Sequence, residues 1–138
     1  MTNIYLRIKM WDDFAEYILS EVEGKNVNIA EIAVGRFDKI ADNLDSRDNI
    51  TLIKTDIAPK DETVIMDDIT KPNLDLYKDM DIIYSIRPPS ELQPYIVKLA
   101  LEIDSQLIIK PLTNEDLNTG KVKMKLKNFK KASFYTLW

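Results

Sequence analysis

The sequence predicts an α/β fold: a mostly parallel, doubly wound sheet that ends in an antiparallel hairpin. Three observations carry this. Short β-branched runs alternate with segments of helical periodicity over residues 27–111. The runs VNIAEIA, ITLIKT, DIIYSI and QLII carry little charge, as strands covered on both faces do. Residues 121–127 (KVKMKLK) then switch to strict period-two alternation, and the aromatic-rich ASFYTLW follows at 132–138, the pattern of two paired strands.

The elements follow in order. Residues 10–23 read as an amphipathic helix, with Trp11, Phe14, Ile18, Leu19 and Val22 on one face, Asp12 and Asp13 near its positive end, and Gly24 as its stop. The first strand spans 27–33. Gly35 follows, and Phe37, Ile40, Ala41 and Leu44 then repeat at helical spacing, so a helix is expected directly after the glycine. Ile50 to Thr55 is the second strand, with Asp56 at its end, and 64–66 a short third strand followed by Asp67-Asp68. One helical turn is expected near Leu74–Tyr77. Residues 81–86 form the fourth strand, closed by Arg87-Pro88-Pro89. The next helix runs to about Ile103, with Leu92, Ile96, Leu99, Ala100 and Ile103 inward. Its start has two readings: Ser90 and Gln93 match a capping box, and Pro94 suits a first helical turn. Gln106 to Ile109 is the fifth strand, ended by Lys110-Pro111. In the expected hairpin the lysines of 121–127 face one way and Val122, Met124 and Leu126 the other. Phe129, Phe134, Tyr135 and Trp138 are read as hairpin core or a homodimer surface in preference to a base-stacking platform.

Composition narrows the chemistry. The 138 residues include no cysteine and no histidine. A His/Cys zinc site and histidine-dependent nucleophilic triads are thereby excluded. A general base would have to be a carboxylate, lysine or tyrosine, and chemistry that mainly positions two reactants suits such a chain best. No apolar run approaches a membrane span and no secretory signal opens the chain, so a cytoplasmic setting is expected. Charge is segregated. Residues 121–138 hold six lysines and no acid, leaving 13 basic against 23 acidic residues in 1–120. General nucleic-acid binding by that acidic body is not expected. The lysine-alternating strand offers a surface for RNA or, the favoured reading, protection of a sheet edge.

In doubly wound sheets ligands bind beyond the carboxyl ends of the strands, where strand order reverses. Gly35, Asp56, Asp67, Asp68, Arg87 and Lys110 all fall at such ends, acidic on one side and basic on the other. A glycine there allows a tight turn and close approach by a ligand. Asp56, 21 residues beyond Gly35, stands where dinucleotide and S-adenosylmethionine folds place a carboxylate for ribose hydroxyls. Each residue also has a plain structural reading: a turn for Gly35, a strand-end cap for Asp56, an ion pair with Asp67, Asp68 or Asp81 for Arg87, and a solvated strand end for Lys110. Asp67-Asp68 lacks a third ligand for a magnesium ion, and no metal site is assigned. G-x-G-x-x-G is absent, which ranks dinucleotide redox chemistry lowest.

Glu31-Ile32-Ala33-Val34-Gly35 resembles the E-x-G-x-G motif of Rossmann-fold S-adenosylmethionine-dependent methyltransferases. Glu31 and Gly35 match it, Ala33 replaces the first glycine, and Phe37 stands where a third glycine often follows. Thr55-Asp56-Ile57 resembles the acidic end of the second strand in that superfamily. A second resemblance spans nearly the whole chain: EIAVGRF, TDIAP, DDIT, IYSIRPPSELQ and LIIKPL are similar to a small archaeal uncharacterised family, UPF0146. Together these imply a Rossmann-like, methyltransferase-like fold in a single domain over 1–138, with an N-terminal helix (1–24), a nucleotide-binding-type core (27–111) and a C-terminal hairpin (121–138). They imply S-adenosylmethionine as cofactor, held at Glu31, Gly35, Arg36, Asp56 and Ile57, with Asp67 or Asp68 at the adenine. Amino-methyltransferases carry an Asp/Asn-Pro-Pro-aromatic loop after the fourth strand. Here Arg87 and Ser90 take the outer positions, and arginine only donates hydrogen bonds, so Arg87 is the candidate contact for an anionic substrate. No catalytic residue is assigned. The alternative is a non-catalytic Rossmann-like binding or scaffold protein that has lost the cofactor.

Overall fold

A computed structural model of the chain describes residues 2–111 and 117–138. It contains α1 (Thr2–Val22), β1 (Val27–Ile32), α2 (Lys39–Asp45), β2 (Ile50–Asp56), β3 (Ile65–Met66), α3 (Leu74–Tyr77), β4 (Ile82–Ile86), α4 (Gln93–Ile103), β5 (Gln106–Lys110), β6 (Lys125–Phe129) and β7 (Ala132–Leu137). A single 3-10 turn, Ser90–Leu92, leads into α4.

The strands form one seven-stranded sheet in the order β3-β2-β1-β4-β5-β7-β6. β1 to β5 are parallel, and β7 inserts antiparallel between β5 and β6. This is the expected Rossmann-like arrangement. The chain leaves β1 toward β2 and β3, then returns to lay β4 and β5 on the other side, so order reverses between β1 and β4.

Alternation along each strand builds two cores. Ile29, Ile82, Tyr84, Ile86 and Ile108 point to one face and meet α1, α2 and Phe134 of β7. Ala30, Ile32, Ile83, Leu107 and Ile109 point to the other and meet α4 and Tyr77 of α3. Neighbouring residues on one strand thus serve opposite layers, as the pleat requires. The inward residues expected of the helices are inward: Trp11, Phe14, Ile18 and Val22 of α1, Ile40, Ala41 and Leu44 of α2, and Ile96, Leu99 and Ala100 of α4 are buried.

Four expectations are corrected. α1 begins at Thr2 rather than residue 10. Its early residues Ile4, Tyr5, Leu6 and Ile8 are exposed, so no inward stripe marks this stretch; a helix nucleated by the packed part continues at little cost. α2 starts at Lys39, not directly after Gly35, because Phe37 turns aside to stack on Trp11 at a ring-centre distance of 4.6 Å. The Ser90–Gln93 capping box does not form. The Gln93 amide instead donates to the Pro88 carbonyl and accepts from the Asn118 amide, while Pro94 occupies the first turn of α4. Finally, β6 starts at Lys125, and its Leu126 is 52% exposed rather than inward. Val122 and Met124 tuck under the α4 core outside any strand, in a turn held by the Val122 amide and the Thr119 carbonyl. No helix among the described residues is long and apolar enough to cross a membrane.

Candidate functional site

A cleft of about 700 Å³ opens at the carboxyl edge of the sheet, where strand order reverses. Its lining comes from the turn after β1, the ends of β2 and β3, and the end of β4. Gly35, Arg36, Asp56, Ile57, Asp67, Asp68 and Arg87 all line it. The walls between them are mostly aliphatic, from Ile32, Val34, Ile69, Ile86 and Leu92.

The turn after β1 is shaped by two left-handed residues, Ala33 at φ +57° and Gly35 at φ +59°. At Gly35 a side chain would meet nothing within 4 Å, so the glycine is required by its dihedral rather than by space. Ala33 holds the same backbone region despite its methyl group, at a cost of about 1 kcal/mol. The turn is tied to β2 by Asp56. Its Oδ2 accepts the Gly35 amide at 2.8 Å, and its Oδ1 accepts the Ala58 amide at 2.9 Å. A carboxylate offers about four lone-pair positions, so both oxygens keep capacity toward the cleft.

Asp67 and Asp68 diverge. Asp67 accepts the Asn73 amide and, at 2.8 Å, the Tyr77 hydroxyl, which also lies 3.0 Å from the Thr55 hydroxyl. Each Asp67 oxygen thus accepts one bond from α3 or its N-cap, tying that turn to the end of β3 and, through the Tyr77 hydroxyl, to Thr55 of β2. Asp68 uses only Oδ1, for the amide and hydroxyl of Thr70, and these bonds keep its carboxyl below the usual range. Its Oδ2 takes no hydrogen bond among the described residues, so Asp68 is the better placed of the two to accept from a ligand.

Arg87 also adopts a left-handed backbone, at φ +52°, and its amide donates to the Lys110 carbonyl. Its guanidinium sits 5.0 Å from the Phe37 ring centre and 5.7 Å from that of Trp11. The ion pair with Asp67, Asp68 or Asp81 is not formed; among the described residues Arg87 is held by aromatic faces and not by a carboxylate. Lys110 departs from a solvated strand end. It is buried, its ammonium donates to the Pro111 carbonyl, and burial, reinforced by Arg87, lowers its pKa.

Glu31 lies off the cleft. It points into the α1–α2 core between its register partners Lys54 and Tyr84. The Tyr84 hydroxyl donates to its Oε1 at 2.7 Å, and its Oε2 has no partner among the described residues. Burial pushes its pKa up to about 8, against the hydrogen bond from Tyr84 and the charges of Lys54 and Lys60. Sequence reasoning also passed over Asp38, which fills the N-cap position of α2 without capping it; its carboxylate pairs with Lys60 and, at 3.7 Å, Lys54. No group of three or more acidic side chains that could hold a metal gathers among the described residues.

The chain is similar to archaeal proteins over nearly its full length. It is 39% identical over 126 residues to a UPF0146 protein of Methanothermobacter thermautotrophicus, covering 91% of this chain and 93% of that one. It is 38% identical over 140 residues to one of Methanocaldococcus jannaschii, with 96% and 95% covered. A third, from Archaeoglobus fulgidus, is 34% identical over 127 residues, with 89% and 91% covered. The family model described as "Uncharacterised protein family (UPF0146)" matches residues 11–137, and the chain belongs to that family.

Proposed function

We propose that the cleft binds a nucleoside cofactor of the S-adenosylmethionine type and that the protein acts as a methyltransferase on a substrate with an anionic group. The observation that carries this is the convergence of the Gly35 turn, Asp56 and Asp68 in one largely apolar cleft at the reversal of strand order. The free lone pairs of Asp56 suit the two hydroxyls of a ribose. Asp68 Oδ2 suits an exocyclic amino group, and Ile57, 60% exposed at the cleft, offers an apolar face for a purine. When bound, the cofactor supplies an electrophilic methyl group. The chain's own residues position the reactants, and Arg87 opposite the acidic side orients an anionic acceptor.

Titration calorimetry with S-adenosylmethionine and S-adenosylhomocysteine tests the reading. Saturable heat is expected, weakened about tenfold or more in Asp56→Asn, whose melting curve reports whether the turn survives. No heat at millimolar ligand with folded protein overturns it. A second reading, a binding or scaffold protein without the cofactor, is favoured by Ala33 in the first glycine position and by Glu31 lying off the cleft. It predicts that blank titration.

A further inference from the structure

The outer edge of the sheet carries a second feature, remote from the cleft. Among the described residues β6 is the last strand and pairs only with β7. Because Lys125 pairs with Thr136 and Phe129 with Ala132, the start of β6 and the end of β7 lie at the amino edge of the parallel strands, opposite the cleft. A groove of about 570 Å³ runs there, lined by Lys123, Lys125, Lys127, Leu126 and Trp138 among others, with no acidic side chain in its lining. Trp138 is 54% exposed. Lys127 lies 5.6 Å from the Tyr17 ring, and none of the three lysines makes an ion pair among the described residues. Lys130, by contrast, is paired with Glu16.

Edge protection accounts for lysines on an outer strand, which deter pairing with another sheet. It does not account for a third lysine ahead of the strand, or for an exposed tryptophan and leucine beside them, which invite association. Strand geometry sets Lys125 and Lys127 at a repeat of about 6.6–6.8 Å, and Lys123 precedes them in the same lining. That repeat is close to the spacing of successive phosphates along an extended single strand. A flat aromatic surface at the end of a lysine row is the usual means of holding single-stranded nucleic acid without reading its sequence. The charge segregation favours this surface further: an anionic polymer is attracted here and repelled by the rest of the chain.

We propose that this groove binds single-stranded RNA, with the three lysines on successive phosphates and Trp138 stacked on a base. The proposal does not depend on the cofactor reading. Fluorescence anisotropy of the full chain with labelled oligouridylate tests it. Three phosphate contacts predict a log–log salt slope of about −2, so affinity falls roughly 20-fold between about 50 and 200 mM salt. Lys123→Gln/Lys125→Gln/Lys127→Gln is expected to abolish most of that slope and to weaken binding at least about tenfold at low salt. Trp138→Ala is expected to weaken binding about fivefold or more while leaving the slope unchanged, a separation that a structural role would not produce. The proposal is overturned by absence of binding at low salt, by a triple variant that binds as well as the parent, or by polyglutamate competing as well as RNA, which would make an acidic protein the occupant.

Discussion

Glu31 and Asp56 are two carboxylates on neighbouring strands that flank the same Gly35 turn, yet they end in opposite environments. Asp56 ends β2 at the cleft, partly exposed, and spends its oxygens on two backbone amides. Glu31 lies one residue before the end of β1, fully buried, with a single hydroxyl donor. Position along the pleat decides this. Side chains at 29 and 31 face the α1–α2 layer, whereas the end of β2 faces the open edge. A motif carboxylate is therefore not automatically a ligand contact. Glu31 is a polar group that the fold must keep neutral, and Asp56 is a charge that the fold uses to hold a turn.

The largest effect that sharpens this contrast is on pH dependence. Glu31 has a folded pKa of about 8 against an ordinary value of 4.5. Its stabilising contribution is complete below the unfolded value and is lost as pH rises through the folded one. Across that window the unfolded chain binds fewer protons than the folded one, so stability falls by at most about 1.4 kcal/mol per pH unit. Thermal melts from pH 5 to 9 are expected to show that decline, and Glu31→Gln is expected to flatten it. A parent and variant with the same profile would break the assignment. Next in size, Tyr84→Phe strips Glu31 of its donor and is expected to cost about 1–3 kcal/mol in denaturant unfolding. The double variant Glu31→Met/Tyr84→Phe is expected to recover most of this, since losing both partners leaves no orphan.

On the Asp56 side the effects are smaller. Gly35→Ala meets no clash but keeps a left-handed backbone, so a loss of about 1 kcal/mol is expected, read by the same unfolding curves. Ala33→Gly is the smallest. Relief of its left-handed strain is offset by the freer unfolded chain, and the net change is expected within about 0.5 kcal/mol. A greater loss would show that the Ala33 methyl packs on the α4 core, where it is partly buried.

Much of the fold was legible because period and composition report local burial. Trp11 to Val22, Ile40 to Leu44 and Ile96 to Ala100 recur on helical faces, and those faces are the ones that pack. The location of the cleft was legible for a related reason: strand ends can be found by where the β-branched runs stop. The start of α1 and of β6 was not, since no period marks a helix with exposed apolar residues or a strand exposed on both faces. Nor could spacing tell Asp67 from Asp68: Asn73 and Tyr77 reach the first, and Thr70 the second.

The sequence by itself determined the alternation of strands and helices, the acidic body with its basic end, and the residues at the carboxyl edge, because these depend on neighbours close in the chain. Only the tertiary structure decided which face each carboxylate takes and what Arg87 rests on. It also decided that Lys123, Lys125 and Lys127 share a groove with Trp138. Those outcomes depend on pairing register and on contacts between residues as distant as Trp11 and Arg87, which no local pattern encodes.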